Sequence, residues 1–185
     1  MTILQLVHAI LTTLYFMLPA YVANMAPVIV KKINMFTLPL DRGKKWKDGK
    51  PLFGSHKTWR GLIAATLFGA VIFSIQQRLY VYPFWQSISI VDYPQQPALL
   101  GVFLGLGAIL GDLVKSFFKR RRNIASGKSW IPFDQLDFVI GALVLSSVIY
   151  VPTWWVWVIA LLISPLLHIL INHIAFYLHI RKEKW

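Results

Sequence analysis

The sequence contains no cysteine and only seven acidic residues among 185. Without cysteine the chain has no disulfide, thiolate metal site or thiol nucleophile, so any metal must bind carboxylate, imidazole or carbonyl groups. The scarcity of acids, set against 19 lysines and arginines, gives a formal net charge of +12. We interpret this charge as cationic loops that anchor a membrane protein and contact anionic lipid head groups, and we expect no nucleic-acid partner.

Apolar residues, by contrast, are abundant: 57% of the chain is hydrophobic and the mean hydropathy is +0.59. Several apolar runs approach or exceed the roughly 18–20 residues that cross a bilayer as a helix. The sequence therefore predicts an all-α, polytopic membrane protein that forms a single integral membrane domain over 1–185. The first segment is apolar for too long to be a signal peptide, so we expect it to be retained. The five predicted spanning helices cover about 3–28, 61–81, 97–118, 133–151 and 153–179.

The distribution of positive charge predicts the orientation of these helices. The segment from Lys31 to Arg60 has nine cations against two acids, and the segment from Lys115 to Lys128 has six cations and no acid. The segment 82–97 has one acid and no cation. Because basic loops stay on the cytoplasmic side, the N-terminus should lie outside, with the basic loops 31–57 and 119–132 and the C-terminus in the cytoplasm. All the basic clusters agree with five crossings.

One carboxylate lies deep in the third predicted helix. Asp112 precedes Lys119 by seven residues, which is about 10 Å along a helix. A charge at that depth is costly in lipid and is by default a functional-site hypothesis. Lys115 and Ser116 lie on the same helical stripe, so a carboxylate, a hydroxyl and two ammonium groups face one way. The alternative is an Asp112–Lys115 pair that only neutralises itself.

Asp134 and Asp137 open the fourth predicted helix, in the sequence IPFDQLDF. Acids in a first turn can cap a helix and complement its dipole. One cap needs only one acid, however, and this pair points to one helix face at the same cytoplasmic depth as Asp112. Three carboxylates beside lysines indicate a Mg²⁺ site whose remaining ligands would be phosphate oxygens of a substrate.

The positions of several other residues in the sequence also predict roles in binding or packing. The start of the second helix, with Lys57, Thr58 and Arg60, could bind an anion at its free N–H groups, although its cations could equally be membrane anchors. Asn24 either hydrogen-bonds a carbonyl freed near Pro27 or lines the site. Four glycines of the third helix are spaced for close helix packing: Gly101, Gly105, Gly107 and Gly111.

These motifs resemble the CTP-dependent cytidylyltransferases that make CDP-diacylglycerol. The stretch Ser116-Phe117-Phe118-Lys119-Arg120 matches the family's S-x-x-K-R, and Asp134-Gln135-Leu136-Asp137 matches its D-R-x-D with glutamine for arginine. Gly111-Asp112 matches a preceding Gly-Asp, and Lys57-Thr58-Trp59-Arg60-Gly61 is similar to K-[ST]-x-E-G with arginine for glutamate. The family's loop Lys-Asp and His-Gly-Gly are absent, and Lys128 is the only lysine left in that loop.

The resemblance covers about 54–137, and the short five-helix form is similar to the archaeal branch, the CDP-archaeol synthases. It implies that the phosphate of an isoprenoid ether of glycerol phosphate attacks the α-phosphorus of CTP, at a site facing the cytoplasm in the cytoplasmic membrane. An oligomer is compatible with this reading. The alternative is a small polytopic transporter of an anionic solute, although no inverted repeat is visible. The assigned residues are Asp112, Lys115 and Lys128 for catalysis, Asn24, Lys57, Thr58, Arg60, Ser116 and Lys119 for nucleotide and phosphate binding, and Asp112, Asp134 and Asp137 for Mg²⁺.

Overall fold

The computed structural model describes residues 2–177, except for the side chain of Ala175, and over those residues it consists of helices and loops without a β-strand. The predicted all-α class is therefore confirmed. The last two residues of the fifth predicted segment and the cations of the C-terminal tail lie outside the described residues. The α-helices are α1 (Ile3–Ile29), α2 (Trp59–Leu79), α3 (Pro83–Ser87), α4 (Leu99–Arg121), α5 (Phe133–Ser146) and α6 (Trp154–Tyr177).

Within the described residues, four helices are long and apolar enough to cross a membrane: α1 with its short continuation to Lys32, α2, α4 and α6. The remaining predicted span, 133–151, is shorter than expected because α5 ends at Ser146. The hydroxyl groups of Ser146 and Ser147 both donate to the carbonyl of Leu143, and such side-chain bonds compete with continued helix. At 14 residues α5 is about 21 Å long, so five crossings and the orientation remain predictions.

Helix α4 is the centre of the bundle and packs on α1, α2 and α5. Its glycines bring the backbones of neighbouring helices into contact, which confirms the packing role predicted for them. A methyl group at Gly105 would lie 2.6 Å from the carbonyl oxygen of Ala65 in α2, and one at Gly107 would overlap the carbonyl of Gly141 in α5. Glycine is needed at these positions because any larger side chain would separate the helices.

The first basic loop folds around a single buried carboxylate, that of Asp41. Its oxygens accept hydrogen bonds from the backbone N–H groups of Gly43 (3.0 Å), Phe53 (3.1 Å) and Gly54 (3.0 Å). Burial raises the pKa of Asp41, but the N–H groups of Gly54, Gly43 and Phe53 together outweigh it and hold the pKa below its usual value. The loop is therefore a defined structure.

A second set of contacts fixes this loop to the end of α4. The Arg121 guanidinium forms an ion pair with Asp48 (3.3 Å) and lies 3.7 Å from the ring centroid of Phe117. The ammonium group of Lys50 donates to the carbonyl of Arg121 at 2.9 Å. The two basic loops are thus held at the same end of the bundle.

Candidate active site

Charged side chains from three parts of the chain meet at this end of the bundle, and Lys115 lies at their centre. Its ammonium nitrogen is 3.0 Å from Oδ1 of Asp112, 2.7 Å from Oδ1 of Asp134 and 2.8 Å from Oδ2 of Asp137. The structure therefore brings together the three carboxylates that the sequence predicted to be neighbours, and places a lysine among them.

Two further lysines complete the cluster. Lys57, which precedes α2, pairs with the second oxygen of Asp112. Lys119 contacts both oxygens of Asp134, at 3.1 and 3.2 Å, and also donates to the backbone carbonyl of Lys128. Three ammonium groups thus face three carboxylates, and this balance allows so many charges to be buried at one place. We call these six residues the charge cluster: Lys57, Asp112, Lys115, Lys119, Asp134 and Asp137.

Helix geometry and close packing explain how the charge cluster forms. Asp112, Lys115 and Lys119 lie on one stripe of α4 because they are three and four residues apart. Gly111 is in backbone contact with α5, since a methyl group there would overlap the carbonyl of Asp137. This approach brings Asp137, whose side chain is only 6% exposed, within reach of Lys115.

The structure excludes one of the alternatives for the two aspartates of α5. The interpretation of Asp134 or Asp137 as helix caps is wrong, because α5 has Pro132 at its N-cap position and no side-chain capping bond. Asp134 instead accepts the backbone N–H of Trp130, and Oδ1 of Asp137 accepts that of Phe138 at 2.6 Å. The self-neutralising pair of Asp112 and Lys115 does form, but as one part of the larger cluster.

Thr58 and Arg60 were predicted to bind phosphate together with Lys57, but only Thr58 lies beside Lys57 at the cavity. Thr58 caps α2 by accepting the N–H of Gly61 at 3.3 Å, and it lines a small cavity together with Lys57 and Asp112. Arg60 does not line this cavity, and its Nη1 donates to the carbonyl of Ile33. His56 also lines the cavity and was not predicted from the sequence, where its adjacency to Lys57 was the available signal.

Three other predicted residues lie near the cluster without joining it. Ser116 is buried on α4, Asn24 is half-buried on α1, and Lys128 is exposed in the second basic loop. Within residues 2–177, no hydrogen bond or ion pair links their side chains to the charge cluster. Lys128 takes part through its backbone carbonyl alone.

The donor set of the charge cluster fits magnesium chemically, because carboxylate oxygens are its preferred protein ligands. Oδ2 of Asp137 is buried, and its contact among the described residues is the Lys115 ammonium at 2.8 Å. Yet over the same residues no three carboxylate or imidazole groups are already arranged to hold a metal. Lys115 takes the central position, so metal binding by these aspartates remains a prediction.

The fold and the site together define a class: a helical membrane protein that buries balanced charges at one end of its bundle, beside two basic loops. Comparison with known proteins then identifies the family. The family model for CarS-like CDP-archaeol synthase matches residues 4–185, and the chain belongs to this family.

Individual relatives agree with the family assignment. A CDP-archaeol synthase of Pyrococcus furiosus is 37% identical over 179 residues, covering 96% of each chain. One of Methanocaldococcus jannaschii is 38% identical over 173 residues, covering 94% of this chain and 96% of the relative. A solved structure of an intramembrane enzyme for archaeal membrane lipid biosynthesis superposes with a TM-score of 0.69 at 32% identity, covering 86% of this chain and 91% of that one.

The chain is accordingly an integral membrane protein and an enzyme of the cytidylyltransferase class, as the motifs predicted. The transporter alternative is not supported, because the relatives are synthases over nearly the whole length of the chain.

Proposed function

We propose that this enzyme transfers a cytidylyl group from CTP to the phosphate of an isoprenoid ether of glycerol phosphate, giving a CDP-archaeol-type lipid and pyrophosphate. The observation that carries the proposal is the charge cluster, in which three lysines and three aspartates meet beside both basic loops. The site faces the cytoplasm, from which CTP arrives, and the lipid tails remain in the bilayer.

The chemistry requires no general base. A phosphate monoester is largely dianionic near neutral pH, since its second pKa is about 6, so the lipid phosphate is already a nucleophile. The difficulty is to bring two polyanions together, and positioning and charge stabilisation therefore dominate catalysis. Lys57, Lys115 and Lys119 supply the positive charge, and the aspartates hold these lysines in position until the phosphates bind.

Magnesium is the cofactor we propose, held by Asp134 and Asp137 with Asp112 as a further ligand or as the group that orients Lys115. When bound, the ion neutralises phosphate charge and fixes the geometry of the triphosphate. The Lys115 ammonium group contacts all three carboxylates at 2.7–3.0 Å. When the substrates bind, this ammonium group turns from the carboxylates to the substrate phosphates.

The residues around the charge cluster receive supporting roles. Thr58 lines the cavity beside Lys57 and donates its hydroxyl to a phosphate oxygen. Ser116, Asn24 and the ammonium group of Lys128 contact the nucleotide after local movement. Arg60 binds the carbonyl of Ile33, so it acts by holding the start of the first basic loop or moves when substrate binds.

The experiment that tests the function is transfer of label from α-labelled CTP into lipid, with purified protein in detergent and Mg²⁺. A geranylgeranyl diether of glycerol phosphate and phosphatidic acid are compared as acceptors. We expect label in the lipid fraction with the diether, and loss of transfer in Asp134→Asn. No transfer to either lipid, from protein shown to be folded, would overturn the proposal; preference for phosphatidic acid would overturn only the choice of lipid.

A further inference from the structure

The first basic loop holds apolar side chains outward beside the start of α2. Phe36 and Leu38 are 60% and 63% exposed, and both border an open groove of about 300 Å³. Four apolar side chains and one cation line the groove: Phe36, Leu38, Trp59, Ile63 and Arg42. We call it the α2 groove.

Backbone hydrogen bonds fix the loop in this arrangement. The N–H of Trp59 donates to the carbonyl of Leu38 at 3.1 Å, and that of Arg60 donates to the carbonyl of Phe36 at 2.8 Å. Phe36 has a φ of +50°, in a region that bulky residues rarely adopt. The fold therefore holds Phe36 and Leu38 outward against the local preference of the backbone.

The α2 groove and the charge cluster lie on opposite sides of α2. Gly61 lines the small cavity beside the charge cluster, and a methyl group on it would lie 3.3 Å from Cβ of Pro27 in α1. Trp59 and Ile63 are each two residues from Gly61, which is about 200° around the helix. A hydrocarbon chain in the α2 groove is therefore outside the bundle, away from the place where the acceptor phosphate reacts.

The edge of the α2 groove is positively charged. The exposed Arg42 guanidinium has no ion-pair partner among residues 2–177. Both acids of this loop are occupied, because Asp41 accepts backbone N–H groups and Asp48 pairs with Arg121. The neighbouring cations in the sequence are exposed as well: Lys31, Lys32, Lys44, Lys45 and Lys47. The charge of this edge is complementary to an anion.

The position of the groove identifies the kind of anion. Helix α2 is long and apolar enough to cross a membrane and begins at Trp59, so the groove lies where the bilayer surface meets the loop. Leu67 and Val71 continue the exposed apolar strip from Ile63 at intervals of four residues. A soluble anion would leave the apolar lining unused, and a neutral lipid would leave Arg42 unused. An anionic lipid matches both parts.

We propose that the α2 groove binds an anionic phospholipid of the bilayer, with its phosphate at the Arg42 guanidinium and one hydrocarbon chain on Trp59 and Ile63. This lipid is a component of the membrane and not the acceptor of the reaction. It supports the active site from outside the bundle, because the loop that forms the groove also holds Lys57: the N–H of Leu40 donates to the Lys57 carbonyl at 2.7 Å. Binding of the lipid therefore stabilises the segment that carries this lysine.

The test is native mass spectrometry of the protein in detergent, titrated with phosphatidylglycerol or with phosphatidylcholine. Phosphatidylglycerol is a phosphodiester without a phosphate monoester, so it is not an acceptor for the reaction. We expect one tightly bound phosphatidylglycerol per wild-type chain, and an apparent Kd about tenfold or more higher in Arg42→Gln, as for a lost charge-assisted hydrogen bond. Phosphatidylcholine, whose net charge is zero, should bind more weakly. Lys47→Gln, which removes an exposed cation of the same loop, is the matched control and should bind as the wild type does.

Unchanged phosphatidylglycerol binding in Arg42→Gln would overturn the inference, and so would an equal loss in Lys47→Gln, which indicates only a diffuse attraction to basic loops. Displacement of the lipid by CTP together with the diether phosphate would place it in the active site instead. A dimer in the same spectra that is lost in Trp59→Ala would assign the groove to a second copy of the chain. The titration involves no turnover, so it decides on this site even if the wild type transfers no label and the proposed function fails.

Discussion

At the level of the single residue, Lys115 has a structural role that can be measured separately from its proposed role in catalysis. Its ammonium group is the shared partner of Asp112, Asp134 and Asp137, and its side chain is 13% exposed. Removing one partner from a buried ion pair is strongly destabilising, because the remaining charges stay desolvated and lose their compensation. The three carboxylates therefore depend on this lysine, together with Lys57 and Lys119, for the compensation of their buried charge.

We predict that Lys115→Met lowers the free energy of unfolding by about 3–5 kcal/mol, as expected when a buried pair loses one member. Transfer activity should also fall, on the order of 10²–10³-fold, as when a single electrostatic stabiliser is removed. Thermal unfolding in detergent and the transfer assay measure the two effects. Lys31→Met, at an exposed lysine, is the control. Equal stability of the two variants would show that Lys115 does not hold the carboxylates.

Asp41 makes the fold of the first basic loop depend on pH. Its pKa is lowered in the folded protein because N–H donors outweigh burial, so its contribution to stability is present above the unfolded pKa of about 3.9. That contribution is lost as the pH falls below this value through the folded pKa. We predict that Asp41→Asn is less stable than the wild type at pH 7 and that the difference shrinks as the pH approaches 3. Thermal midpoints from pH 3 to 7 test this; a constant difference would contradict it.

The sequence could predict which charged residues meet at the end of the bundle, but not all of their contacts. Helical spacing was enough to place Asp112, Lys115 and Lys119 on one stripe. The pairing of Lys57 with Asp112 joins residues 55 apart and depends on how α2 packs on α4, which no local pattern contains. Arg60 contacts the Ile33 carbonyl for a similar reason, since the path of a long loop is set by tertiary contacts such as those of Asp41.

At the level of helices, the geometry of the charge cluster depends on how closely α5 approaches α4. Gly107 and Gly111 are in backbone contact with α5, whereas Gly101 and Gly105 are in contact with α2. One helix thus uses two pairs of glycines for two neighbours. The spacing of these glycines predicted close packing, and the structure adds which neighbour each pair faces.

We predict that Gly111→Ala impairs catalysis more than its effect on stability would explain. The new methyl group overlaps the Asp137 carbonyl and pushes α5 away, at a cost of about 1–3 kcal/mol. The same shift moves Asp137 from Lys115, and a displacement of about 1 Å can lower the rate about 10²-fold.

Gly69→Ala is the matched control, because it crowds the carbonyl of Gly101 between α2 and α4 at 2.6 Å, away from the charge cluster. It should lower the unfolding midpoint without a comparable loss of kcat. If both variants lose activity in proportion to stability, α4–α5 spacing does not control the site.

At the scale of the whole molecule, hydropathy predicted the membrane segments well because a bilayer demands a minimum apolar length and satisfied backbone hydrogen bonds. It overestimated the length of α5, since the apolar residues 148–151 follow a turn in which the backbone has already left the helix. Hydropathy does not distinguish a helical apolar segment from one that ends in a turn. The number of crossings therefore depends on whether α5 and the turn after it traverse the membrane together.

Labelling of single cysteines decides the topology, and the natural absence of cysteine makes it direct. We predict that Gln86→Cys and Thr153→Cys react with an impermeant maleimide outside intact cells, whereas Lys45→Cys and Ala125→Cys react only after permeabilisation. All four positions are exposed in the structure, so reactivity reports the side of the membrane. Thr153 is decisive because it follows α5: labelling from outside means that 133–151 crosses. Labelling only after permeabilisation would mean that α5 turns back within the membrane, which would leave four crossings and place the C-terminus outside.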